Sequence, residues 1–463
     1  MVAILLLLLI CQAFAEKPSL KADVNNDMLA ILKTFAVEEI SKNMKEIHLL
    51  DFESDLIIAK LWAKNITLNV DRFHGNQVDI ELVEGTNDFI LRGRNLTISG
   101  SLALIVKVLF STYNCKANIS VANTGFEARI SLMKNKTRLA VEVKSVDISL
   151  QKENVGITMA CNVMQNVINA LITFLKTYFF QSIKSAMSEM LPLMIANSTN
   201  TVLSQLPDDV EIMNGVAVKF AFTEAPTVKS SYLVTPINVY AHMIDKPEPP
   251  PYEAPDLPDL NPSCTKGFQM FISDFVVRSA VETAHQAGIM SFHKTITAIG
   301  FDITVDCKSN STPSIKFDGT IAFTGSSYCA ADFVLHGTTY KFSLGFLADV
   351  SAILTETIRN STIYFEIERM TVTSLKIVFG MIIDLKTLLS FVNMYLEEVR
   401  KVINNEIANK GIPIPTFNLF DISDVTEVLI DHYIFVCGTL KPKESLRSKF
   451  NYQFEYHPKP YDF

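Results

Sequence analysis

Seven of the eighteen prolines lie in one stretch of seventeen residues, Lys246 to Pro262. Because proline fixes φ and donates no backbone hydrogen bond, this stretch cannot form an interior strand or helix. It predicts a semi-rigid strap of polyproline type, which reaches roughly 50 Å at about 3.1 Å per residue. The strap separates two halves of similar length, and the predicted elements follow the same order in both.

The first half is predicted to begin with an amphipathic helix, because apolar residues recur at three-to-four spacing over Asn26–Met44. From Leu56 to Leu150 apolar and polar residues alternate, which indicates antiparallel strands with one buried face. A helical stretch from Asn162 to Leu206 contains only three charged residues, so we expect other structure to wrap it. Pro192 is expected to kink or break this helix. Two strands then close the half, Gly215–Thr223 and Ser231–His242.

The second half repeats this order. An amphipathic helix is predicted to end before Gly288, and strands follow, beginning with Thr295–Val305. A long helix over Leu385–Asn409 stops at Gly411, a residue suited to the position after a helix end. The last predicted strand is Tyr433–Gly438. The sequence therefore predicts one architecture that occurs twice.

The first fifteen residues are typical of a secretory signal peptide. Val2–Ile10 is an unbroken apolar run, and Ala13-Phe14-Ala15 is a small-x-small cleavage site. The alternative, a membrane anchor, needs about 20 apolar residues, roughly twice the length of this run. Secretion also agrees with seven N-x-S/T sequons, whose glycans would have to lie on the surface. The sequons are at Asn65, Asn95, Asn118, Asn135, Asn197, Asn310 and Asn360.

Removal of Cys11 with the signal leaves six cysteines, an even number that suits an oxidising compartment. Cys115 at a strand end and Cys161 at the start of the long helix predict a disulfide that closes about 45 residues, worth roughly 4 kcal/mol in the chain-entropy model. The other four cysteines leave the pairing open, with one candidate set joining Cys307 to Cys329 and Cys264 to Cys437. No C-x-x-C pair or histidine cluster indicates a metal site.

The composition is apolar for a chain without a predicted membrane span. Hydrophobic residues make up 48%, charged residues only 19%, and the mean hydropathy is +0.23. This excess predicts large internal apolar surfaces or an apolar ligand. The net charge of −8 argues against nucleic acid as a partner. No G-x-S-x-G, H-E-x-x-H or glycine-rich phosphate loop occurs, so we predict neither an enzyme nor a cofactor.

Two segments resemble a known family. The segment Phe271–Phe275, continuing through His285–Met290, resembles the opening helix of the C-terminal domain in lipid-transfer and lipopolysaccharide-binding proteins. Gly411-Ile412-Pro413-Ile414-Pro415 is similar to the closing G-x-P-x-P segment of that family. The family includes bactericidal/permeability-increasing protein, lipopolysaccharide-binding protein, phospholipid transfer protein and cholesteryl ester transfer protein. The placement of Cys115 and Cys161 and the central strap match as well, so the resemblance covers Glu16 to about Leu440.

The resemblance implies an α+β fold of two pseudo-symmetric barrels. Each barrel would be a highly twisted antiparallel sheet wrapped around a long helix, with a central sheet joining the two into a boomerang. The implied domains are residues 16–245 and 263–440, with the linker 246–262 between them and a C-terminal tail at 441–463. Family members bury lipid acyl chains in apolar pockets, and this would explain the composition because a hollow interior needs more apolar residues.

By the same resemblance, the first helix of each half would border a lipid pocket. The candidate pocket residues are Leu29, Leu32, Phe35, Phe271, Phe275 and Val276. The competing interpretation is that these side chains belong to an ordinary core.

A basic cluster in the first half is a candidate site for an anionic headgroup. Its residues are Arg129, Lys134, Lys136, Arg138 and Lys144, with the Asn135 sequon among them. The competing interpretation is a solvated hairpin. Residues 16–245 carry 22 Lys and Arg against 24 Asp and Glu, which departs from the basic first half of bactericidal relatives.

The leading hypothesis from the sequence is a secreted, non-enzymatic lipid-binding or lipid-transfer protein for phospholipid-like ligands. The alternative is an innate-immunity protein that recognises lipopolysaccharide or bacterial surfaces. The expected partners are a phospholipid or other acyl lipid, together with lipopolysaccharide or a membrane surface. A purely structural extracellular protein with a solid core is a third interpretation.

Overall fold

The computed structural model describes most of the chain. The described residues are 17–25, 29, 33, 37, 46–49, 51–64, 66–71, 75–204, 208–213, 215–298, 300–359, 362–380, 384–405, 411–413 and 420–442. The predicted signal peptide, most of the predicted first helix and nearly all of the predicted tail lie outside these residues.

The fold is α+β, with mostly antiparallel sheets and few helices. The α-helices whose bounds the structure describes are α1 (Gln165–Ser204), α2 (Asp274–Gln286) and α3 (Leu385–Ile403), and two short 3-10 helices cover Gly75–Gln77 and Lys152–Asn154. The strands are β1 (Leu20–Asn25), β2 (Glu46–Leu49), β3 (Phe52–Asp55), β4 (Lys60–Ala63), β5 (Ile66–Val70), β6 (Val78–Leu82), β7 (Asp88–Val108), β8 (Ser111–Asn135), β9 (Arg138–Ser149), β10 (Val155–Ala160), β11 (Asp209–Met213), β12 (Val216–Phe222), β13 (Thr227–Lys229), β14 (Tyr232–Met243), β15 (Phe268–Ser273), β16 (Phe292–Ala298), β17 (Phe301–Ser309), β18 (Ser314–Phe317), β19 (Ile321–Leu335), β20 (Lys341–Arg359), β21 (Thr362–Gly380), β22 (Ile412–Pro413), β23 (Phe420–Ile430) and β24 (Tyr433–Pro442).

The chain forms two compact units. The first contains the described parts of Met1–Asp23, Leu206–Thr223 and Thr235–Phe463, and the second those of Val24–Gln205 and Glu224–Val234. Strands β2–β10 form a nine-stranded sheet, β16–β22 a seven-stranded sheet, and the others an eight-stranded sheet in the order β11-β12-β14-β1-β15-β24-β23 with β13 on β14. Among the described strands, none of the three sheets closes into a ring. The domain boundaries expected from the sequence stay a prediction.

In the second unit, α1 packs against β2, β9 and β10. The helix buries every fourth residue, at Val167, Leu171, Leu175, Phe179, Ile183, Met187, Leu191 and Ile195. On a helix with 3.6 residues per turn, a spacing of four advances by about 40° at each step. The buried line therefore winds around α1, as a strongly twisted sheet requires. The helix also continues through Pro192 to Ser204, so the expectation of a break was wrong.

In the first unit, the strap packs onto neighbouring elements and forms no helix or strand between Pro247 and Pro262. Lys21 Nζ donates a hydrogen bond to the Leu257 carbonyl oxygen at 2.8 Å and pairs with the Asp259 carboxylate at 2.6 Å. Lys17 Nζ lies 3.1 Å from the Asp256 carboxylate. Leu257 is buried with Phe271 and Phe435, so the strap is fixed by both charge and packing.

Two element boundaries in the first unit differ from expectation. Phe271 lies in β15, which pairs with β24, and α2 begins only at Asp274. The stretch Thr295–Val305 is split between β16 and β17 by Gly300, whose φ of 79° forms the turn between them. In both cases the local periodicity predicted one continuous element. The structure divides it, because part of the segment pairs with another strand.

Three disulfides join Cys115 to Cys161, Cys264 to Cys437 and Cys307 to Cys329. These are the predicted first pair and the candidate set for the remaining four cysteines. Three disulfides are typical of proteins that fold in an oxidising compartment. In the described part of the chain, no helix is long and apolar enough to span a membrane.

Candidate functional site

A cavity of about 340 Å³ lies in the first unit, bordered by the seven-stranded sheet, α2 and α3. The sheet contributes Cys307, Ser309, Phe323, Gly325, Ser327, Cys329, Phe346, Ala348, Val350, Ala352, Leu354, Phe365, Ile367 and Met370. The helices contribute Val277, Ala280, Val281, Ala284, Val392, Tyr395 and Leu396. Ile212, Ile289, Met290, Ser291, Pro313 and Gly411 complete the lining.

The cavity exists because the inward positions of two strands carry small side chains. Side chains on a strand alternate between faces, so Phe346, Ala348, Val350 and Ala352 of β20 share one face. Ser327 pairs in register with Ala348, which places two small residues side by side. Side chains of this size leave the space between sheet and helices unfilled. This alternation of small and large apolar residues along β20 is the signal in the sequence that marks the cavity.

Helix α2 separates the cavity from the strap. Val277, Ala280, Val281 and Ala284 line the cavity, and their three-to-four spacing places them on one side of the helix. Phe275 lies outside this set and packs with Tyr252 and Ala254 of the strap. Arg278 also contacts the strap, with its guanidinium carbon 5.5 Å from the centre of the Tyr252 ring. The strap therefore supports one wall of the cavity from outside.

Among the described residues of the lining, the polar side-chain groups are all uncharged. They are the hydroxyls of Ser291, Ser309, Ser327 and Tyr395. Burial, with a smaller contribution from the Asp306 carboxylate, raises the pKa of Tyr395, so its phenol stays protonated at physiological pH. Such a lining can bind an apolar chain by burial and a polar group by hydrogen bonds, but it offers no ion pair.

The candidate pocket residues from the sequence are distributed over several places. Phe271 is buried against Phe435 and the Cys264–Cys437 disulfide, and Phe275 against the strap. Val276 is buried as well; none of these three side chains belongs to the cavity lining. Leu29 is helical and buried in the second unit, whereas Leu32 and Phe35 lie outside the described residues. Phe275 and Val276 thus belong to α2 but lie off the side of the helix that borders the cavity.

The basic cluster is divided by the structure. Arg129 Nε and Lys144 Nζ lie 2.7 and 2.9 Å from the buried carboxylate of Asp88. Burial raises the pKa of Asp88, but hydrogen bonds from Ser131, Lys144 and Arg129 outweigh it and lower that pKa to about 2. Lys134, Lys136 and Arg138 lie at or beside the β8–β9 turn, and the Arg138 guanidinium donates to the Ser204 carbonyl oxygen at 3.3 Å. Two of the five cations thus already neutralise a carboxylate of this chain.

Five of the seven sequons fall on described residues and all five asparagines are exposed. They are Asn95, Asn118, Asn135, Asn197 and Asn310. Asn65 and Asn360 lie outside the described residues. The surface position agrees with what a glycan requires, and the use of these sites stays a prediction. Among the described residues, no group of three His, Cys, Asp or Glu side chains is placed to hold a metal ion.

The structure is similar to the crystal structure of lipopolysaccharide binding protein, with a TM-score of 0.58, 15% sequence identity, and coverage of 92% of this chain and 99% of that chain. At this identity the similarity shows the fold alone. P47 of Clostridium botulinum E1 matches with a TM-score of 0.28 and 10% identity over 92% of this chain and 100% of that one, too low to support an argument. Takeout 1 of Epiphyas postvittana matches with a TM-score of 0.25 and 12% identity over 38% of this chain and 93% of that one, which is also too low to support an argument. No family model and no curated protein matches the sequence.

Proposed function

We propose that this chain is a secreted, non-enzymatic lipid-binding or lipid-transfer protein of the family that it resembles. In this proposal the cavity in the first unit buries an acyl chain of a phospholipid-like or other acyl lipid. The observation that carries the proposal is the lining, whose described residues are apolar apart from four hydroxyls and include no charged side chain. The fold shared with lipopolysaccharide binding protein supports it.

Burial of the chain would supply the binding free energy. Each methylene group that leaves water contributes about 0.8 kcal/mol. The cavity volume of about 340 Å³ is at the lower end of the range for ligand pockets, about 300–1,000 Å³. This volume favours one acyl chain over two inside the cavity, with the remainder of a larger lipid outside it.

A carrier of this kind must also meet lipid surfaces, and we place that contact at one end of the nine-stranded sheet. Lys60 of β4 pairs in register with Lys107 of β7, so the β3–β4 and β7–β8 turns project side by side. Ile57 and Phe110 at these turns are fully exposed. Isolated apolar side chains are common on surfaces, but two adjacent turns with apolar tips indicate an interaction site.

The backbone of the β7–β8 turn supports this assignment. Leu109 has a φ of 52°, a left-handed conformation that suits glycine or asparagine and strains a leucine. Leu109 is nevertheless 82% exposed and makes the turn apolar. Strain at an exposed apolar residue favours a functional explanation over a folding one. Lys60 already pairs with the Asp55 carboxylate at 2.8 Å, so Lys107 is the cation at this end of the sheet that would favour anionic lipid surfaces.

The proposal is tested by purifying the full chain from a secretory host and extracting it for lipid mass spectrometry. We expect a stoichiometric lipid that exchanges with added acyl lipid. Ala352→Phe, which places a phenyl ring in the cavity, should reduce the bound lipid strongly. Because the ring enters empty space, the melting temperature should stay near that of the unchanged protein, whereas overpacking of a filled core costs about 1–3 kcal/mol.

Thr357→Phe provides the matched control, since Thr357 is an exposed residue on the same strand. It should leave the lipid content unchanged. Protein that carries no lipid and exchanges none would overturn the proposal. Equal lipid content in Ala352→Phe and Thr357→Phe would show that this cavity is not the binding site.

A further inference from the structure

The cavity contains a pair of serine hydroxyls on adjacent strands. Ser309 of β17 and Ser327 of β19 are partners in the register, and the next row of this face is the Cys307–Cys329 disulfide. Directly opposite residues of an antiparallel pair have Cβ atoms about 4.5–5.5 Å apart. Both side chains line the cavity, so the two hydroxyls lie close together on its wall.

The two hydroxyls have complementary hydrogen-bonding capacity. Ser309 Oγ donates to the Ser311 carbonyl oxygen at 2.8 Å, which uses its proton and leaves its oxygen as an acceptor. Ser327 Oγ has no hydrogen-bond partner within the described part of the chain, so it is able to donate and to accept. Together the pair can accept one hydrogen bond from a ligand and donate one to it. A ligand hydroxyl group makes both of these bonds at once.

The remainder of the lining excludes an ionised group from the same place. A carboxylate or phosphate that lost its hydration in this cavity would meet no opposite charge to compensate, since none of the lining side chains that the structure describes is charged. A hydroxyl bound to the serine pair loses water but regains two hydrogen bonds. The cavity therefore favours a ligand whose polar end is uncharged over a ligand whose polar end is ionised.

We propose that the Ser309–Ser327 pair binds the hydroxyl group of an uncharged, single-chain lipid whose chain fills the cavity. This inference rests on the proposed function and narrows its ligand class. The ligand hydroxyl donates to Ser309 Oγ and accepts from Ser327 Oγ, and the chain extends along the apolar faces of β19 and β20. Long-chain alcohols and monoacylglycerols have this chemistry.

The test measures affinities of the full chain for three probes of one chain length, a primary alcohol, the corresponding carboxylate and the corresponding alkane. The alcohol should bind most tightly at neutral pH. The double variant Ser309→Ala/Ser327→Ala should weaken alcohol binding by about tenfold, since each neutral hydrogen bond contributes modestly, and leave alkane binding unchanged. Ser327→Thr, which keeps the hydroxyl, should retain most of the affinity. Ser326→Ala, next to Ser327 but not in the lining, is the matched control.

The outcomes separate this inference from the proposed function. Equal binding of alcohol and alkane by the unchanged protein, or tighter binding of the carboxylate, would overturn the serine assignment and leave lipid binding in place. An equal loss for alcohol and alkane in the double variant would also overturn it. If none of the three probes binds and no lipid co-purifies, both proposals are wrong.

Discussion

The ring of Phe275 meets the ring of Tyr252 nearly edge-on, with their centroids 5.4 Å apart. Phe275 belongs to α2 and Tyr252 to the proline-rich strap, and both lie in the same unit. Two residues further along α2, Val277 lines the cavity. Helix α2 thus contacts the strap through Phe275 and borders the candidate lipid site through Val277.

We therefore predict that Phe275→Ala and Val277→Ala have different consequences. Phe275 is 3% exposed and surrounded by protein, so its truncation should lower the free energy of unfolding by about 3–5 kcal/mol. Val277→Ala only enlarges a cavity that already exists, so it should cost less stability and mainly change lipid affinity. Urea titrations and lipid-binding measurements on both variants check this. Equal losses of stability would show that the strap does not support α2 as we describe.

The second prediction concerns Asp88, whose pKa of about 2 lies below the ordinary value of 3.8. A carboxyl whose pKa is lower in the folded state stabilises the fold above its ordinary pKa, and this stability is lost as the pH falls from about 4 to about 2. The shift corresponds to about 2 kcal/mol. Asp88→Asn should lower the free energy of unfolding at neutral pH and flatten its dependence on pH in that window.

Asp318→Asn provides the comparison for this prediction. Asp318 is exposed and pairs with Lys316 at the surface, where an ion pair contributes little. Denaturant titrations at several pH values should therefore show a much smaller change than for Asp88→Asn. If Asp88→Asn were as stable as the unchanged protein at neutral pH, the pairing of Asp88 with Arg129 and Lys144 would contribute no net stability and the prediction would be wrong.

The Cys264–Cys437 disulfide should be the most stabilising of the three. It joins residues 173 positions apart, and the Cys307–Cys329 bond spans only 22. Loop-closure entropy then predicts a cost of about 5 kcal/mol for Cys264→Ala/Cys437→Ala and about 3 kcal/mol for Cys307→Ala/Cys329→Ala. Guanidinium titrations of the two double variants measure the difference. A reversed order would mean that packing around Cys307 and Cys329 outweighs chain entropy.

Much of the fold could be predicted because it depends on local chemistry. The prolines from Pro247 to Pro262 exclude helix and strand, and alternation predicted most of the sheet residues. Local signals failed where a distant partner decides the structure. Phe271 has a helical spacing with Phe275, yet it lies in β15 because β24 pairs with that segment. Pro192 is a helix breaker by propensity, but packing along α1 keeps the helix intact on both sides of it.

The candidate site was harder to predict than the fold. Apolar residues on α2 face the strap on one side and the cavity on the other, and the sequence does not distinguish these two environments. The residues that indicate the cavity are instead three with small side chains, Ser327, Ala348 and Ala352. Small residues are common in strands, so they do not predict a cavity by themselves. The cavity becomes evident only from the register, which aligns Ser327 with Ala348. Ser309 likewise becomes significant only through its partner across the sheet.

The last prediction concerns the two apolar turns of the nine-stranded sheet. Ile57→Ser/Phe110→Ser should weaken binding of the full chain to vesicles of phosphatidylcholine with an anionic lipid by about tenfold or more, since each side chain contributes about 1.5–3 kcal/mol when it leaves water. The double variant should have the same free energy of unfolding as the unchanged protein, because both residues are exposed. Tyr340→Ser, at the exposed turn between β19 and β20, is the control and should bind vesicles as the unchanged protein does. Co-sedimentation measures all three proteins, and undiminished binding by the double variant would remove these turns as the lipid-surface contact.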